Sequence, residues 1–119
     1  MTPYSAPGVD HNATLTHMIE RIISEATGVY NIHDTSRRQA TVKPRQIAMW
    51  LIRRHTKNSY AAISRRYRKN HATVIHACRT VDNMREYRDP DYYDLIQYTD
   101  RMVNLEKFRN HINKNTINV

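Results

Sequence analysis

The sequence of 119 residues has few of the residues that make tight turns or covalent links: two glycines, four prolines and one cysteine. So few glycines and prolines disfavour a turn-rich β protein and favour helices. A single cysteine excludes an internal disulfide framework and is typical of a reducing cytoplasm, where we expect the protein to act. No stretch approaches the roughly 18–20 apolar residues of a membrane span, and the N-terminus lacks the basic start and apolar run of a signal peptide.

Acidic residues are also missing from one long part of the chain. From Thr35 to Val81 there is no Asp or Glu in 47 residues, yet 12 of the 19 lysines and arginines lie there. A protein that needs charge only for solubility mixes the two signs, whereas a phosphate backbone requires one strong positive field. Because these cations are spread over several predicted elements, we favour nucleic acid as the partner over a solvated basic surface or an anionic membrane.

Apolar residues recur at helical spacing through most of the chain, which predicts an all-α bundle of five to six helices around one modest core. We expect a flexible arm at 1–13, the folded domain at 14–109 and a flexible tail at 110–119. The first helix is predicted from about Thr16 to Ala26, and a short helical turn at Asn31. The later helices are predicted to begin at Pro44, after a Ser59 cap, after an Asn70 cap, and at Pro90 and Asp91.

The same periodicity predicts which side chains face the core. In the helix that follows Pro44, the outer side is expected to carry Arg45, Arg53 and Arg54, and the inner side Ile47, Ala48, Trp50, Leu51 and Ile52. The last helix is expected to bury Leu95, Ile96, Met102 and Val103.

The stretch "RKNHATVIHACRTV" contains two histidines and a cysteine, which raises the question of a metal site or a nucleophile. Cys78 lies on one apolar stripe with Val74, Ala77 and Val81, so we interpret it as a small buried hydrophobe. His71 and His76 are about 140° apart on a helix and cannot share a metal ion. The sequence has no Cys/His cluster, no glycine spacing for a phosphate-binding loop and no nucleophile with a base nearby. We therefore predict no metal, no cofactor and no enzymatic activity.

The exposed side of the same helix is better suited to DNA. "YAAISRRY", a short turn and the helix after Asn70 have the proportions of a helix-turn-helix, whose second helix enters the major groove with its first turn at the base edges. That turn carries Asn70, His71, Ala72 and Thr73. Asn pairs with adenine in a bidentate manner, His and Thr donate or accept, and Ala packs on a thymine methyl. The alternative for Asn70 is simple capping, and for His71 an idle exposed ring.

The segment from Val42 to Val81, above all "PRQIAMWL" and "HATVIHACR", resembles the C-terminal DNA-binding domain of the bacterial replication initiator DnaA. This resemblance implies a helical bundle with a helix-turn-helix preceded by a basic loop, and binding to short duplex boxes at replication origins. It places His71, Ala72 and Thr73 at base edges and adjacent phosphates, and Arg37 in the minor groove. We keep its neighbour Arg38 as the alternative for the minor groove. The resemblance places Arg45, Gln46 and Arg53 near the DNA backbone. We expect further phosphate contacts from Lys43, Lys57, Arg68, Lys69 and His76.

The sequence departs from the family pattern at four points. Asn70 replaces an Asp, Ala72 replaces a Thr, and Ala62 replaces a Glu. The turn before Asn70 is one residue shorter and has Arg-Lys in place of Gly-Gly-Arg. An Asp accepts from cytosine whereas an Asn favours adenine, so we expect a preferred box that differs from the usual one.

Other functions stay open at this point. The family's ATPase and helicase-loading regions have no counterpart in these 119 residues, and residues 1–13 look like a natural start. We therefore favour a self-standing replication or regulatory protein of a phage, mobile element or bacterium, of unknown oligomeric state, over a fragment of a longer chain. A second hypothesis is an adaptor that binds a replication protein through a Tyr- and acid-rich half containing Tyr87, Tyr92, Tyr93 and Tyr98. RNA binding is a third, disfavoured because the basic window has no aromatic platform.

Overall fold

The structure, a computed structural model, describes the backbone of residues 11–117 and the side chains of residues 11–112. Those residues form helices and connecting loops, with no strand in the part described. The five helices are α1 (His11–Thr27), α2 (Gln39–His55), α3 (Tyr60–Tyr67), α4 (His71–Glu86) and α5 (Tyr93–Ile117). The all-α prediction is therefore confirmed. Most of the predicted arm lies outside the described residues, and the predicted domain limits stay a prediction.

Two helices extend beyond their predicted ends. α1 begins at His11 and not near Thr16, because tertiary contacts support its first turns: the Asn12 side chain accepts a hydrogen bond from the Lys57 backbone N–H at 3.2 Å. α1 ends where Gly28 takes a left-handed conformation, with φ of 74°, and its N–H donates to the Ser24 carbonyl. α5 continues to Ile117, through part of the segment 110–119 that was expected to be a flexible tail.

Two other predicted helix starts need correction. α2 begins at Gln39, so Pro44 is inside the helix and not in its first turn. The proline has no N–H for the carbonyl of Ala40, whose exposed position leaves that carbonyl to water. The helical turn expected at Asn31 is present as a single turn, in which the Asp34 N–H donates to the Asn31 carbonyl at 3.1 Å. α5 begins at Tyr93, because a preceding turn uses the Asp89 carboxylate to accept from the N–H groups of residues 91 and 92.

α2 is the centre of the core and packs against each of the other four helices. Its predicted inner residues are all buried, together with the apolar stripe of α4 around Val74 and Val81. On α5, Ile96 and Val103 are fully buried as predicted, whereas Leu95 and Met102 are only half-buried. Burial raises the pKa of the Cys78 thiol to about 11, which keeps it protonated and agrees with its interpretation as a core residue.

A buried carboxylate joins α1, the loop after α1 and α3. Glu20 on α1 accepts hydrogen bonds from the Arg66 guanidinium at 2.5 and 2.8 Å and from the Tyr67 hydroxyl at 2.6 Å. His33 in the loop lies 2.9 Å from the same carboxylate and stacks on the Tyr67 ring, with centroids 4.4 Å apart. Burial would raise the pKa of Glu20, but the hydrogen bonds from Arg66 and Tyr67 outweigh it and lower the pKa.

A second ion pair holds the end of α2 against α5. Asp100 on α5 accepts from Arg54 Nε at 3.0 Å and lies 2.6 Å from His55 Nε2. Burial lowers the pKa of His55, against the raising effect of the Asp100 charge. The C-terminal end of α2 is thus tied to α5 by polar contacts.

Replacing Glu20 with Gln keeps the shape of the side chain and removes its charge. We expect the free energy of unfolding to fall by roughly 2 kcal/mol at neutral pH, since hydrogen bonds to charged groups contribute roughly 1.5–3 kcal/mol. Because the folded-state pKa lies below the ordinary value of 4.5, the stabilisation is present above pH 4.5 and is lost as the pH falls through the folded pKa. Urea denaturation above and below pH 4.5 measures both effects.

Glu25→Gln is the matched control, because Glu25 is an exposed glutamate on the same helix. Its substitution should change stability little at any pH. A Glu20→Gln loss that stays constant down to strongly acidic pH would contradict the assigned role of the charge.

Candidate nucleic-acid interface

The connection between α3 and α4 has helix-turn-helix proportions. The predicted Ser59 cap is confirmed, as its hydroxyl accepts from the Ala62 N–H at 3.0 Å. Three residues, 68–70, link the two helices. Arg68 takes a left-handed conformation, with φ of 54° and ψ of 42°, and the Lys69 N–H donates to the Ser64 carbonyl at 3.0 Å. These contacts cap the C-terminal end of α3 and change the chain direction before α4, with an arginine where a glycine is usual.

Asn70 is the N-cap of α4, as predicted. Its side-chain oxygen accepts from the Thr73 N–H at 2.8 Å and from the Thr73 hydroxyl at 2.9 Å. A bidentate contact with adenine needs both the oxygen and the NH₂ group of an asparagine. Because the cap already uses the oxygen, the Asn70 side chain has only its NH₂ group for a further contact.

The first turn of α4 is open to solvent. His71, Ala72 and Thr73 are all exposed. The His71 ring lies near the Tyr60 ring, with centroids 6.0 Å apart and the planes tilted by 50°. Tyr60 in turn lies under the Arg53 guanidinium, 4.4 Å from its ring centroid. Sequence reasoning missed Tyr60, because an aromatic at the start of a short helix follows no pattern that links it to the next helix.

The loop between α1 and α2, residues 28–38, is the basic loop that the sequence predicts. Arg37 and Arg38 are both exposed. Short-range hydrogen bonds shape the segment before them: the Asp34 carboxylate accepts from the Ser36 N–H at 2.8 Å, and the Ser36 hydroxyl accepts from the Arg38 N–H at 3.2 Å.

A cleft of about 200 Å³ brings the basic loop and α4 together. Ser36 and Arg37 line it from the loop, and Lys69, Thr73 and His76 line it from the turn and α4. Residues from α2 lie between these two sides, with Val42, Gln46 and Met49 among them. The arginine-bearing loop and the start of α4 therefore lie on one side of the molecule, which is the geometry that reading two adjacent grooves requires.

Arg45 corrects a prediction. It was expected on the outer side of its helix, near the DNA backbone, but it is only 5% exposed. Its guanidinium donates to the backbone carbonyls of Ile32 at 2.7 Å, Asp34 at 2.8 Å and Ser36 at 3.1 Å. The carbonyls lie in a loop whose path no helical periodicity predicts. Most of the donors of this guanidinium are therefore used within the protein.

The other predicted phosphate-binding residues lie in several environments. Arg53, Lys57, Arg68 and His76 are exposed, and Lys43, Gln46 and Lys69 are half-buried. The Gln46 side-chain oxygen is buried and has no hydrogen-bond partner among the described residues. Arg53 also donates to the Asn58 carbonyl at 3.1 Å, which orients it along the surface near Tyr60.

Within the described residues there is no group of three His, Cys, Asp or Glu side chains able to hold a metal ion. None of the helices found there combines the length and apolar character that a membrane crossing demands. Of the four tyrosines in the Tyr- and acid-rich half, Tyr92 packs against the core and Tyr93 is half-buried. Tyr87 and Tyr98 are exposed and remain available for a protein partner.

Residues 16–81 match the family described as "Bacterial dnaA protein helix-turn-helix". A chromosomal replication initiator protein DnaA from Desulfatibacillum aliphaticivorans is 43% identical over 60 residues, which cover 50% of this chain and 13% of that protein. The protein of the same name from Azoarcus sp. (strain BH72) is 37% identical over 81 residues, 63% of this chain and 16% of that protein. The protein of the same name from Bacteroides thetaiotaomicron is 38% identical over 85 residues, 66% of this chain and 18% of that protein. The chain spans less than a fifth of these relatives.

The left-handed conformation of Arg68 makes its replacement by Gly a test of the turn. A side chain is strained in this conformation and a glycine is not, so Arg68→Gly should raise the free energy of unfolding by about 0.5–1 kcal/mol. Thermal unfolding should show a midpoint about 3 °C higher. Arg68→Ala removes the same side chain but keeps the strain, and should give no such gain. Equal stability of the two variants would contradict the strain at residue 68.

Proposed function

Because the chain belongs to the bacterial DnaA helix-turn-helix family, we propose that it binds double-stranded DNA in a sequence-specific manner. α4 enters the major groove by its first turn, and Arg37, or its neighbour Arg38, enters the adjacent minor groove. The observation that carries this proposal is the cleft lined by Arg37 on one side and by Thr73 and His76 on the other. It supports simultaneous contact of one duplex by two separate parts of the chain.

The charge distribution supports the same partner. The acid-free window from Thr35 to Val81 includes the second half of the basic loop, all of α2 and α3, and the turn and first part of α4. Cations that neutralise phosphates release the counterions condensed on DNA, which supplies most of the affinity for any sequence. A narrow, A·T-rich minor groove concentrates negative potential and would favour an arginine there.

We assign different roles to the exposed residues of the interface. His71 and Thr73 donate to or accept from base edges, and Ala72 makes an apolar contact with a thymine methyl. Asn70 donates through its NH₂ group while its oxygen caps the helix. The phosphate contacts that fix the register of the protein come from Lys43, Gln46, Arg53, Lys57, Arg68, Lys69 and His76.

The relatives are named chromosomal replication initiator proteins, which supports a role at origin-like boxes in the bacterial nucleoid or, for a phage protein, in the host cytoplasm. The box differs from that of the DnaA family, because the first turn of α4 has Asn70 and Ala72 in place of the family's Asp and Thr. We propose neither an ATPase nor another enzymatic activity for the chain.

Selection of bound duplexes from a random pool tests the proposal. We expect an enriched motif, and an affinity for it that falls with salt with a slope of log K against log salt near −5 to −7, if some six to eight phosphates are contacted. His71→Ala should lose roughly 1–3 kcal/mol of preference for the motif. Arg53→Ala should weaken binding to the motif and to random duplexes alike, because a phosphate contact carries no sequence information.

The two variants are controls for each other, since both change exposed side chains of the same face. Equal losses on the motif and on random duplexes for both would show that α4 reads no sequence. Affinity that does not depend on salt, or a pool without any enriched motif, would contradict the proposed function.

Asn70→Asp separates base contact from capping. Aspartate caps a helix as well as asparagine does, so folding should not change. It has no donor, however, and it accepts from cytosine N4, so the selected motif should change at one position and affinity for the original motif should fall by about tenfold. Asn70→Ser keeps a cap but is too short for the base. If selections with both variants return the original motif, residue 70 only caps α4.

A further inference from the structure

We propose that Arg45 is a positioning residue that holds the basic loop in the shape that presents Arg37 to the DNA. This role rests on the proposed function and adds to it a residue that contacts no DNA. Arg45 acts from the interior of the protein, about two turns of α2 after the end of the loop that it controls.

The geometry begins with the carbonyls of the loop. Ile32, Asp34 and Ser36 are alternate residues of the loop. The Ile32 carbonyl accepts from Nε of Arg45, the Asp34 carbonyl from one terminal nitrogen and the Ser36 carbonyl from the other. The Asp34 carboxylate lies 3.4 Å from that guanidinium and partly balances its charge. Nearly all donors of Arg45 are therefore directed at five consecutive residues of one loop.

The loop has few other long-range backbone contacts in the described part of the chain. Its other backbone hydrogen bonds here are local, within residues 31–42. The His33 side chain adds a contact with Glu20 and the Tyr67 ring. The buried Ile32 side chain anchors the start of the segment, since it is only 2% exposed. Without the Arg45 guanidinium, three carbonyls that face the protein would lose their donors, and the loop would move toward water to recover them.

The position of Arg37 in the chain makes this tether functional. Ser36, whose carbonyl accepts from Arg45, directly precedes Arg37, and both residues line the cleft that faces α4. A side chain that must enter a narrow groove gains affinity when its backbone is already held in the bound position. Arg45 supplies that fixed point because it extends from α2, the helix at the centre of the core.

Lysine is the informative replacement. It keeps the positive charge but has one ammonium group on a flexible stem, which cannot satisfy three carbonyls held by a planar fork. A lysine would preserve much of a simple phosphate contact. It would not preserve the tether. Arg45→Lys therefore separates a positioning role from the DNA-backbone contact predicted from the sequence.

The experiment is a double-mutant cycle on the selected duplex with wild type, Arg45→Lys, Arg37→Ala and the double variant. We expect Arg45→Lys to weaken binding by about tenfold in the wild-type background and by less than about twofold in the Arg37→Ala background. The second loss is smaller because Arg45 acts on binding through the Arg37 side chain, which Arg37→Ala has already removed. Equal losses in the two backgrounds would mean that Arg45 contacts DNA by itself, and would overturn the proposal. Unchanged affinity of Arg45→Lys would overturn it as well.

Limited proteolysis by trypsin, without DNA, measures the loop directly. Cleavage after Arg37 and Arg38 should become about tenfold faster in Arg45→Lys, because cleavage follows the population of the opened loop. Cleavage after Arg101 and Arg109, exposed residues of α5, is the internal control and should not change. Cleavage that rises equally at all four positions would make Arg45 a general stabiliser of the fold and overturn the proposal.

The two measurements also separate this inference from the proposed function. If the wild-type chain selects no duplex from the pool, the proposed function fails, while the trypsin comparison still decides whether Arg45 holds the loop. If the chain binds a motif and the loop opens in Arg45→Lys without any loss of affinity, the proposed function stands and the positioning role fails.

Discussion

The packing of α2 against the other four helices is the constraint on which the interface depends. α4 carries the exposed first turn, and the basic loop enters α2 directly, so both parts of the interface take their positions from this one helix. Ile47, Leu51 and Ile52 on α2 and Val74 on α4 are all at most 1% exposed. Close-packed interiors permit little sliding. The spacing between the loop and α4 is therefore set by the core before any DNA is present.

Three acidic residues stabilise the fold from outside the basic window, which leaves the side that we assign to DNA positive. Glu20, Asp34 and Asp100 lie outside the acid-free window, and each pairs with an arginine of that window. These pairs direct Arg45, Arg54 and Arg66 to structural roles. Basic residues such as Arg37 and Arg53 stay exposed at the surface. A count of cations in the sequence thus overstates the charge available to a phosphate backbone, since part of it is used inside the protein.

The sequence predicted those features that depend on local chemistry. Helical periodicity predicted the buried faces of α2 and α4, and the capping preferences of Ser59 and Asn70 predicted where α3 and α4 begin. It did not predict the start of α2, because the preference of Pro44 for a first turn is weaker than the contacts that extend the helix. The orientation of Arg45 was also wrong, because its partners are backbone carbonyls 9 to 13 residues away along the chain. Side-chain patterns do not encode such contacts.

Several local rules are broken on the side of the molecule that we assign to DNA. Arg68 occupies a left-handed position that glycine would fill with less strain. The Gln46 oxygen, beside the cleft between the basic loop and α4, is buried and has no hydrogen-bond partner among the residues that the structure describes. Natural sequences depart from local preference mainly at functional sites, where another requirement outweighs the loss of stability. A positive charge at residue 68, one turn before the exposed start of α4, is such a requirement. The left-handed conformation of Arg68 therefore supports a functional role for its charged side chain.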